Sequence, residues 1–256
     1  HIKYHKVHVP DYPLFDYPPY ELALTTTIVE IVEKYKIDII HVHYAIPHAY
    51  AAVNAQTILL DKKIKVPIIT TLHGTDITLV GKSPYVISAV NYAINKSTIV
   101  TTVSRSLKAD TLKYFDVTKN IKVIPNFIRF KHFSVLSKSL NKNKIITHIS
   151  NFRPVKRVLD VIHVFYAVQQ KIPSRLIMIG DGPDFKKAQL LVKKMKLNDL
   201  VRFVGKTSKI DTILEKTNLF LLPSEIESFG LVALEAMSFS VPVITTSSGG
   251  ISDLVI

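Results

Sequence analysis

Short β-branched and aliphatic runs alternate with longer amphipathic segments along nearly the whole chain. The runs at residues 3–9, 37–43, 66–72, 98–103 and 121–124 read as strands. A second set follows at 144–149, 174–179, 201–204, 219–222 and 241–245. Several, such as Ile37-Asp38-Ile39-Ile40 and Leu176-Ile177-Met178-Ile179, are apolar on both faces. Strands of that kind sit in parallel sheets covered by helices on either side. Helical periodicity falls between them, at 21–35, 47–60, 107–115, 155–170, 186–196 and 231–238. The order predicts an α/β protein with Rossmann-like, doubly wound parallel sheets. The alternation pauses over residues 126–142, which are polar and basic without sustained periodicity. Two domains are therefore expected, 1–134 and 135–256, joined near residue 135.

Composition narrows the class. The 256 residues suit one large domain or two ordinary ones, and 47% hydrophobic with 21% charged residues is a globular balance. The absence of cysteine excludes a disulfide framework, a thiolate metal site and a thiol nucleophile. The apolar runs, such as those at 219–222 and 231–234, are far shorter than a membrane span. The chain opens on His1 without a signal peptide and stops just after Ile251-Ser252-Asp253 begins to read as a helix. An internal piece of a longer protein, truncated at both termini, is the expectation. A net charge of +13 points to an anionic partner: nucleic acid, a membrane surface or a phosphorylated small molecule. Residues 126–256 carry 19 basic and 10 acidic groups against 14 and 10 in residues 1–125. The second half is thus expected to hold the more anionic ligand.

In open α/β sheets ligands gather where the carboxyl ends of strands lead into helices. The strongest such segment runs from Pro223 to Met237: a buried strand empties into an acidic loop, and Phe229-Gly230 open a helix. Free amides at that helix start can hold a phosphate, and Glu227 and Glu235 can accept from the hydroxyls of a sugar and a ribose. Either acid alone would also suit the helix dipole. A second segment, Ser150-Asn151-Phe152-Arg153-Pro154-Val155-Lys156-Arg157, places three cations after a strand, where arginine offers a planar fork and lysine a point charge for a diphosphate. A solvated basic helix start is the plainer alternative. A third, Thr71-Leu72-His73-Gly74-Thr75-Asp76, ends a strand with His73 within reach of a reacting or sugar hydroxyl.

His41 and His43 share a strand face with His48 beyond, which suggests a metal, but no further ligand stands at a persuasive spacing and none is expected. Gly180-Asp181-Gly182-Pro183 and Ser247-Ser248-Gly249-Gly250 suit tight turns as well as ligand contact. No Asp-x-Asp pair, P-loop, Gly-x-Gly-x-x-Gly or Gly-x-Ser-x-Gly motif occurs.

Glu227-x7-Glu235, within Glu227-Ser228-Phe229-Gly230-Leu231-Val232-Ala233-Leu234-Glu235-Ala236, resembles the signature of family 4 retaining glycosyltransferases, whose two Rossmann-like domains form the GT-B fold. The resemblance runs from about residue 37 to residue 256. The three segments 71–76, His43-Tyr44-Ala45-Ile46-Pro47-His48 and 151–157 are most similar to the branch serving the first step of bacillithiol biosynthesis. It implies transfer of N-acetylglucosamine from UDP-N-acetylglucosamine to the hydroxyl of L-malate in the cytoplasm, with retention and without a metal or other cofactor. Lys156 and Arg153 would bind the diphosphate, Arg153 standing in where the family commonly has arginine at the position of Asn151. Glu235 would hold the ribose, and Glu227 with the Phe229-Gly230-Leu231 backbone the donor sugar. His73 would touch the donor near the reacting carbon; Tyr44, with His73 and Thr75, would face the acceptor. His73, Lys156 and Glu227 are the catalytic candidates.

The family also has a first strand and a glycine-rich loop ahead of residue 1, and C-terminal helices beyond residue 256. Domain closure would align donor and acceptor and exclude water. The resemblance implies small-molecule partners, no nucleic acid and no stable membrane insertion, and leaves room for a homo-oligomer. Two alternatives remain: a family member acting on a lipid or polysaccharide acceptor at a membrane surface, and a nucleic-acid-binding protein. Against the second, the lysines are scattered and no aromatic–basic strip stands out.

Overall fold

A computed structural model describes residues 2–11, 16–128 and 143–255. The chain divides into two compact units, His1–Pro125 and Asn126–Ile256. The junction expected near residue 135 lies outside the described residues.

Unit 1 runs α1 (Tyr20–Tyr35), β1 (Ile40–His43), α2 (Tyr50–Asp61), β2 (Ile68–Leu72), α3 (Thr75–Thr78), α4 (Ile87–Lys96), β3 (Ile99–Thr102), α5 (Arg105–Tyr114) and β4 (Ile121–Val123). Its sheet has the order β1-β2-β3-β4 with every pair parallel. Val29 and Val32 of α1 pack with Ala52, Val53, Ala55 and Leu59 of α2 against Ile40 and Ile68. The small alanines let α2 lie close to the sheet. Ser104 opens α5 as an N-cap, its Oγ accepting from the Leu107 N–H at 3.1 Å.

Unit 2 runs β5 (Lys144–Ile149), α6 (Val158–Gln169), β6 (Ser174–Ile179), α7 (Phe185–Lys194), β7 (Val201–Gly205), α8 (Ile210–Leu214), β8 (Leu219–Leu222), α9 (Leu231–Ser238) and β9 (Val243–Thr245). The sheet order is β7-β6-β5-β8-β9, again all parallel. Alternate residues of the strands feed two cores. Ile146, Leu176 and Met178 pack with α6 and α7 on one face; Ile149, Ile179, Phe220 and Leu222 pack with α8 and α9 on the other. The unit is therefore doubly wound. Strand order reverses between β5 and β8, and the carboxyl ends of those two strands open the crevice where such sheets take ligands.

Three expectations need correction. Residues 3–9 form no strand: Ile2 and Tyr4 are exposed, and the segment lies against α1 through Lys3 over the Tyr35 ring and His5 beside it. Alternating apolar residues make a strand only when a neighbour completes the hydrogen-bond ladder. The helix expected over 47–60 is α-helical only from Tyr50; a π-helical turn, Ala45–Ala49, leads into it, with Ile46 alone extended (φ −129°, ψ 144°) ahead of Pro47. The helix expected over 155–170 is broken: a 3-10 turn, Pro154–Lys156, ends at Arg157 with φ 50°, and α6 begins at Val158. The helices α3, α4 and α8 were not anticipated. In α4 the apolar spacing was present, with Val90, Ala93 and Ile94 buried. Among the described residues no helix is long and apolar enough to cross a membrane.

Candidate active site

In unit 2 the switch point brings together the loops after β5 and β8. Lys156 Nζ donates to Glu227 Oε1 at 2.6 Å, the side chains being only 16% and 9% exposed. Buried Ser224 donates its Oγ–H to the same oxygen at 2.7 Å. A carboxylate so far out of water needs this charge and these donors. The two loops are also joined through the backbone, Glu225 N–H donating to Val155 O at 2.8 Å. Glu227 itself runs beside the loop after β9: its N–H donates to Ser248 O, and its carbonyl accepts from Gly250 N–H at 2.6 Å. That approach requires Gly249, whose φ is 81° and where an added Cβ would collide with the Glu227 carbonyl. The glycines of Gly180-Asp181-Gly182 likewise meet the Ser150 and Asn151 carbonyls. Both glycine turns thus act as walls for the two site loops.

Arg153 is half-buried, and its Nε is buried with no hydrogen-bond partner among the described residues. An unsatisfied buried donor costs about 1–3 kcal/mol, which a bound anion would relieve. Asn151 is exposed. The Phe229 side chain is buried, and Gly230 is the N-cap of α9 with φ 87°. Ahead of the helix ladder, the amides of Leu231 and Val232 are the free donors of a helix start. Leu231 is partly exposed. Glu235, in the second turn of α9, is half-buried; burial first, and then the Asp211 carboxylate, push its carboxyl above the usual range.

In unit 1 a second cluster forms at the carboxyl ends of β1 and β2. His43 Nδ1 and His73 Nε2 share a hydrogen bond of 2.7 Å. The Tyr44 and His73 rings lie 5.0 Å apart, and those of His41 and His43 4.8 Å. His41 Nε2 bonds Thr71 Oγ1 at 2.9 Å, and His48 Nδ1 donates to the His43 carbonyl at 2.6 Å. Burial, and then neighbouring histidines, hold both His43 and His73 below the ordinary imidazole value, with Asp76 pulling His73 partly back. The buried Asp76 carboxylate accepts three backbone N–H groups: those of Ala45 (2.9 Å), Gly74 (2.9 Å) and His73 (3.2 Å). It thereby fixes the loop carrying His73 and ties it to the loop carrying Tyr44. Thr75 opens α3 beside it. Among the described residues, no group of three or more His, Asp or Glu side chains is placed to hold a metal ion.

The structure gives supporting roles to residues for which the sequence assigned none. Ser224 bonds Glu227, the buried His148 feels the charges of Lys156 and Glu227, and Asp76 and His43 support His73. Strand register held the signal for His43: it pairs with Thr71, two residues before His73. Nothing in the local sequence marks Ser224 or His148, because their partners lie on another strand.

Comparisons with known proteins follow the same division. Residues 1–131 match Glycosyltransferase Family 4, and residues 131–256 match Glycosyl transferases group 1. The chain is 42% identical to N-acetyl-alpha-D-glucosaminyl L-malate synthase of Bacillus anthracis, over 99% of this chain and 68% of that protein. It is 29% identical to an uncharacterized glycosyltransferase of Methanocaldococcus jannaschii, over 88% of this chain and 60% of the relative. Among solved structures, Anabaena HepE in complex with UDP and glucose aligns with a TM-score of 0.75 at 20% identity, covering 91% of this chain and 65% of that one. Sucrose-phosphate synthase from Thermosynechococcus elongatus aligns with a TM-score of 0.76 at 19% identity, covering 97% and 67%. Both structures share the fold of paired parallel-sheet α/β domains, and the chain belongs to glycosyltransferase family 4.

Proposed function

We propose that this chain carries the donor- and acceptor-binding residues of a retaining glycosyltransferase. The enzyme transfers N-acetylglucosamine from UDP-N-acetylglucosamine to the hydroxyl of L-malate, the first step of bacillithiol biosynthesis, in the cytoplasm. The observation that carries the reading is the Lys156–Glu227 pair at the β5/β8 switch point, with an unpartnered Arg153 Nε beside it in sequence. The 42% identity to the L-malate synthase supports this choice of sugar and acceptor.

In this reading the diphosphate takes Lys156 and Arg153 as its cations and the first amides of α9 as donors. Glu227 keeps Oε1 on Ser224 and Lys156 and offers Oε2 to a sugar hydroxyl. Glu235 accepts from the ribose. Breaking the sugar–phosphate bond places negative charge on UDP and positive charge on the ring. Lys156, Arg153 and the helix start stabilise the first as it develops, and no metal is needed for that task. The acceptor attacks from the face UDP leaves, which retains the α configuration, and a departing phosphate oxygen takes the hydroxyl proton. His73 and Tyr44 of unit 1 serve the acceptor end.

The test is UDP release from UDP-N-acetylglucosamine with L-malate, with glycerol and with anionic lipid vesicles as acceptors, the product anomer being read by NMR. An α-linked malate glycoside supports the assignment. Transfer to lipid but not to malate assigns the chain to another acceptor, and salt-sensitive oligonucleotide binding without UDP binding overturns the enzyme reading.

A further inference from the structure

His148, on β5, is fully buried and near enough to Lys156 and Glu227 to feel both charges, and the proposed reaction gives it no task. We propose that His148 is a positioning residue that pins the loop of residues 150–156 to β8 where the crevice opens, so that Lys156 and Arg153 face a bound diphosphate. The proposal rests on the UDP reading only for its ligand; the positioning itself is a property of the empty protein.

The ladder between β5 and β8 pairs Ile146 with Leu219 and Thr147 with Phe220, and then stops. Continued in register, the next pair would be His148 and Leu221. Instead the His148 side chain takes the Leu221 carbonyl, its Nδ1–H donating at 2.9 Å. The imidazole therefore bridges the strands at the point where they part. With the proton on Nδ1, the neutral ring leaves Nε2 to accept from Ser150 Oγ–H at 2.8 Å. Ser150 Oγ in turn accepts from the Phe152 N–H at 3.3 Å.

Phe152 needs this support. It is a buried non-glycine residue with φ 42°, a conformation that persists only where its surroundings over-determine it. The Phe152 carbonyl accepts from Asp184 N–H at 2.9 Å, and its ring lies 6.0 Å from that of His148 and 5.7 Å from that of Phe185. One residue further on is Arg153, and then the turn that delivers Lys156 to Glu227. A connected path thus leads from β8 through His148, Ser150 and Phe152 to the cations of the loop.

The site's chemistry selects imidazole. It supplies a donor and an acceptor on opposite sides of one rigid ring without charge. A lysine would set a second cation beside Lys156, and a carboxylate would repel Glu227 and present no donor to Leu221. An aliphatic side chain would leave the Leu221 carbonyl and the Ser150 hydroxyl unpaired.

His148→Asn places an amide nitrogen near the Nδ1 position, keeping the tie to Leu221 while releasing Ser150. Ser150→Ala cuts the same path one step later. Amide hydrogen exchange over residues 150–157 of the ligand-free protein and UDP affinity by calorimetry are the readouts. Each variant is expected to melt close to the parent, to exchange faster in that segment but not in β6 or α7, and to bind UDP about tenfold more weakly, the scale of one lost hydrogen bond. The double variant is expected to be no worse than the weaker single. Unchanged exchange and affinity in both single variants, or losses that multiply in the double, would overturn the proposal. Should the parent fail to bind UDP, the ligand reading falls and the exchange pattern alone decides the positioning role. Should His148→Asn fail to fold, Ser150→Ala carries both readouts.

Discussion

Lys156 and Glu227 stand 71 positions apart and meet at 2.6 Å, because β5 and β8 are neighbours at the one place where strand order reverses. On the proposed reading, the cation that takes the diphosphate is thereby held against a carboxylate. Removing one partner leaves an uncompensated, largely buried charge, so Lys156→Ala is expected to lower stability by roughly 3 kcal/mol. Lys156→Met/Glu227→Gln should recover most of that loss, and thermal unfolding of the two variants checks it.

Asp76 predicts a comparable effect in unit 1. Its carboxylate accepts three backbone amides from two loops, and hydrogen bonds to charged groups are individually strong. Asp76→Ala should cost about 3 kcal/mol. Chemical denaturation is the check; a midpoint unchanged from the parent would show that the clamp is not needed.

His148 makes acid sensitivity predictable. Its burial lowers the folded pKa from 6.5 to about 4. Between those values the unfolded chain binds a proton that the folded protein refuses, so stability is present above pH 6.5 and is lost as pH falls toward 4. The size is roughly 3 kcal/mol over that window. A stability-versus-pH curve for His148→Asn should be correspondingly flatter between pH 6.5 and 4 than that of the parent.

The His43–His73 pair predicts a second titration. Burial and the neighbouring imidazoles lower both groups, so both rings are neutral at pH 7 and one N–H links them. His73 should titrate below 6.5 by NMR, and His43→Gln should raise its midpoint by removing a neighbour that disfavours the cation. An unmoved or lower midpoint would contradict the pairing.

Glu235 predicts how UDP binding depends on pH. Burial and Asp211 raise its carboxyl, so it loses its charge at a higher pH than an ordinary glutamate does. Affinity for UDP should weaken as pH falls into the acid range. Glu235→Gln should lower the affinity about tenfold at neutral pH, the scale of one hydrogen bond to a charged acceptor, and remove that acid limb. Calorimetry across pH reads both.

Much of this was legible in the sequence where local chemistry decides. Strands β5, β6 and β8 and helix α9 have the predicted bounds, because apolar runs between turn residues leave one reading. Residues 3–9 carry the same alternation but form no strand, since pairing is decided by neighbours and not by the pattern itself. The break at Arg157 was equally hidden: 155–170 is helical in period, and the turn that sends Lys156 to Glu227 is stabilised by tertiary contacts. Glu227, Lys156 and His73 stood out because they are polar residues at strand ends. The supporting roles of Ser224, His148, His43 and Asp76 did not, because these depend on how loops and neighbouring strands meet, which spacing in one chain does not reveal. The +13 charge is only partly accounted for, as few of those cations lie at the switch point.

The most direct measurement is calorimetric titration of the protein and its Lys156→Ala variant with UDP. If the switch point of unit 2 is the donor site, the parent binds UDP and the variant loses at least about thirtyfold, as expected when a charged hydrogen bond to the diphosphate is removed. Equal affinity in the two proteins would contradict the assignment of Lys156, and with it the proposed donor site.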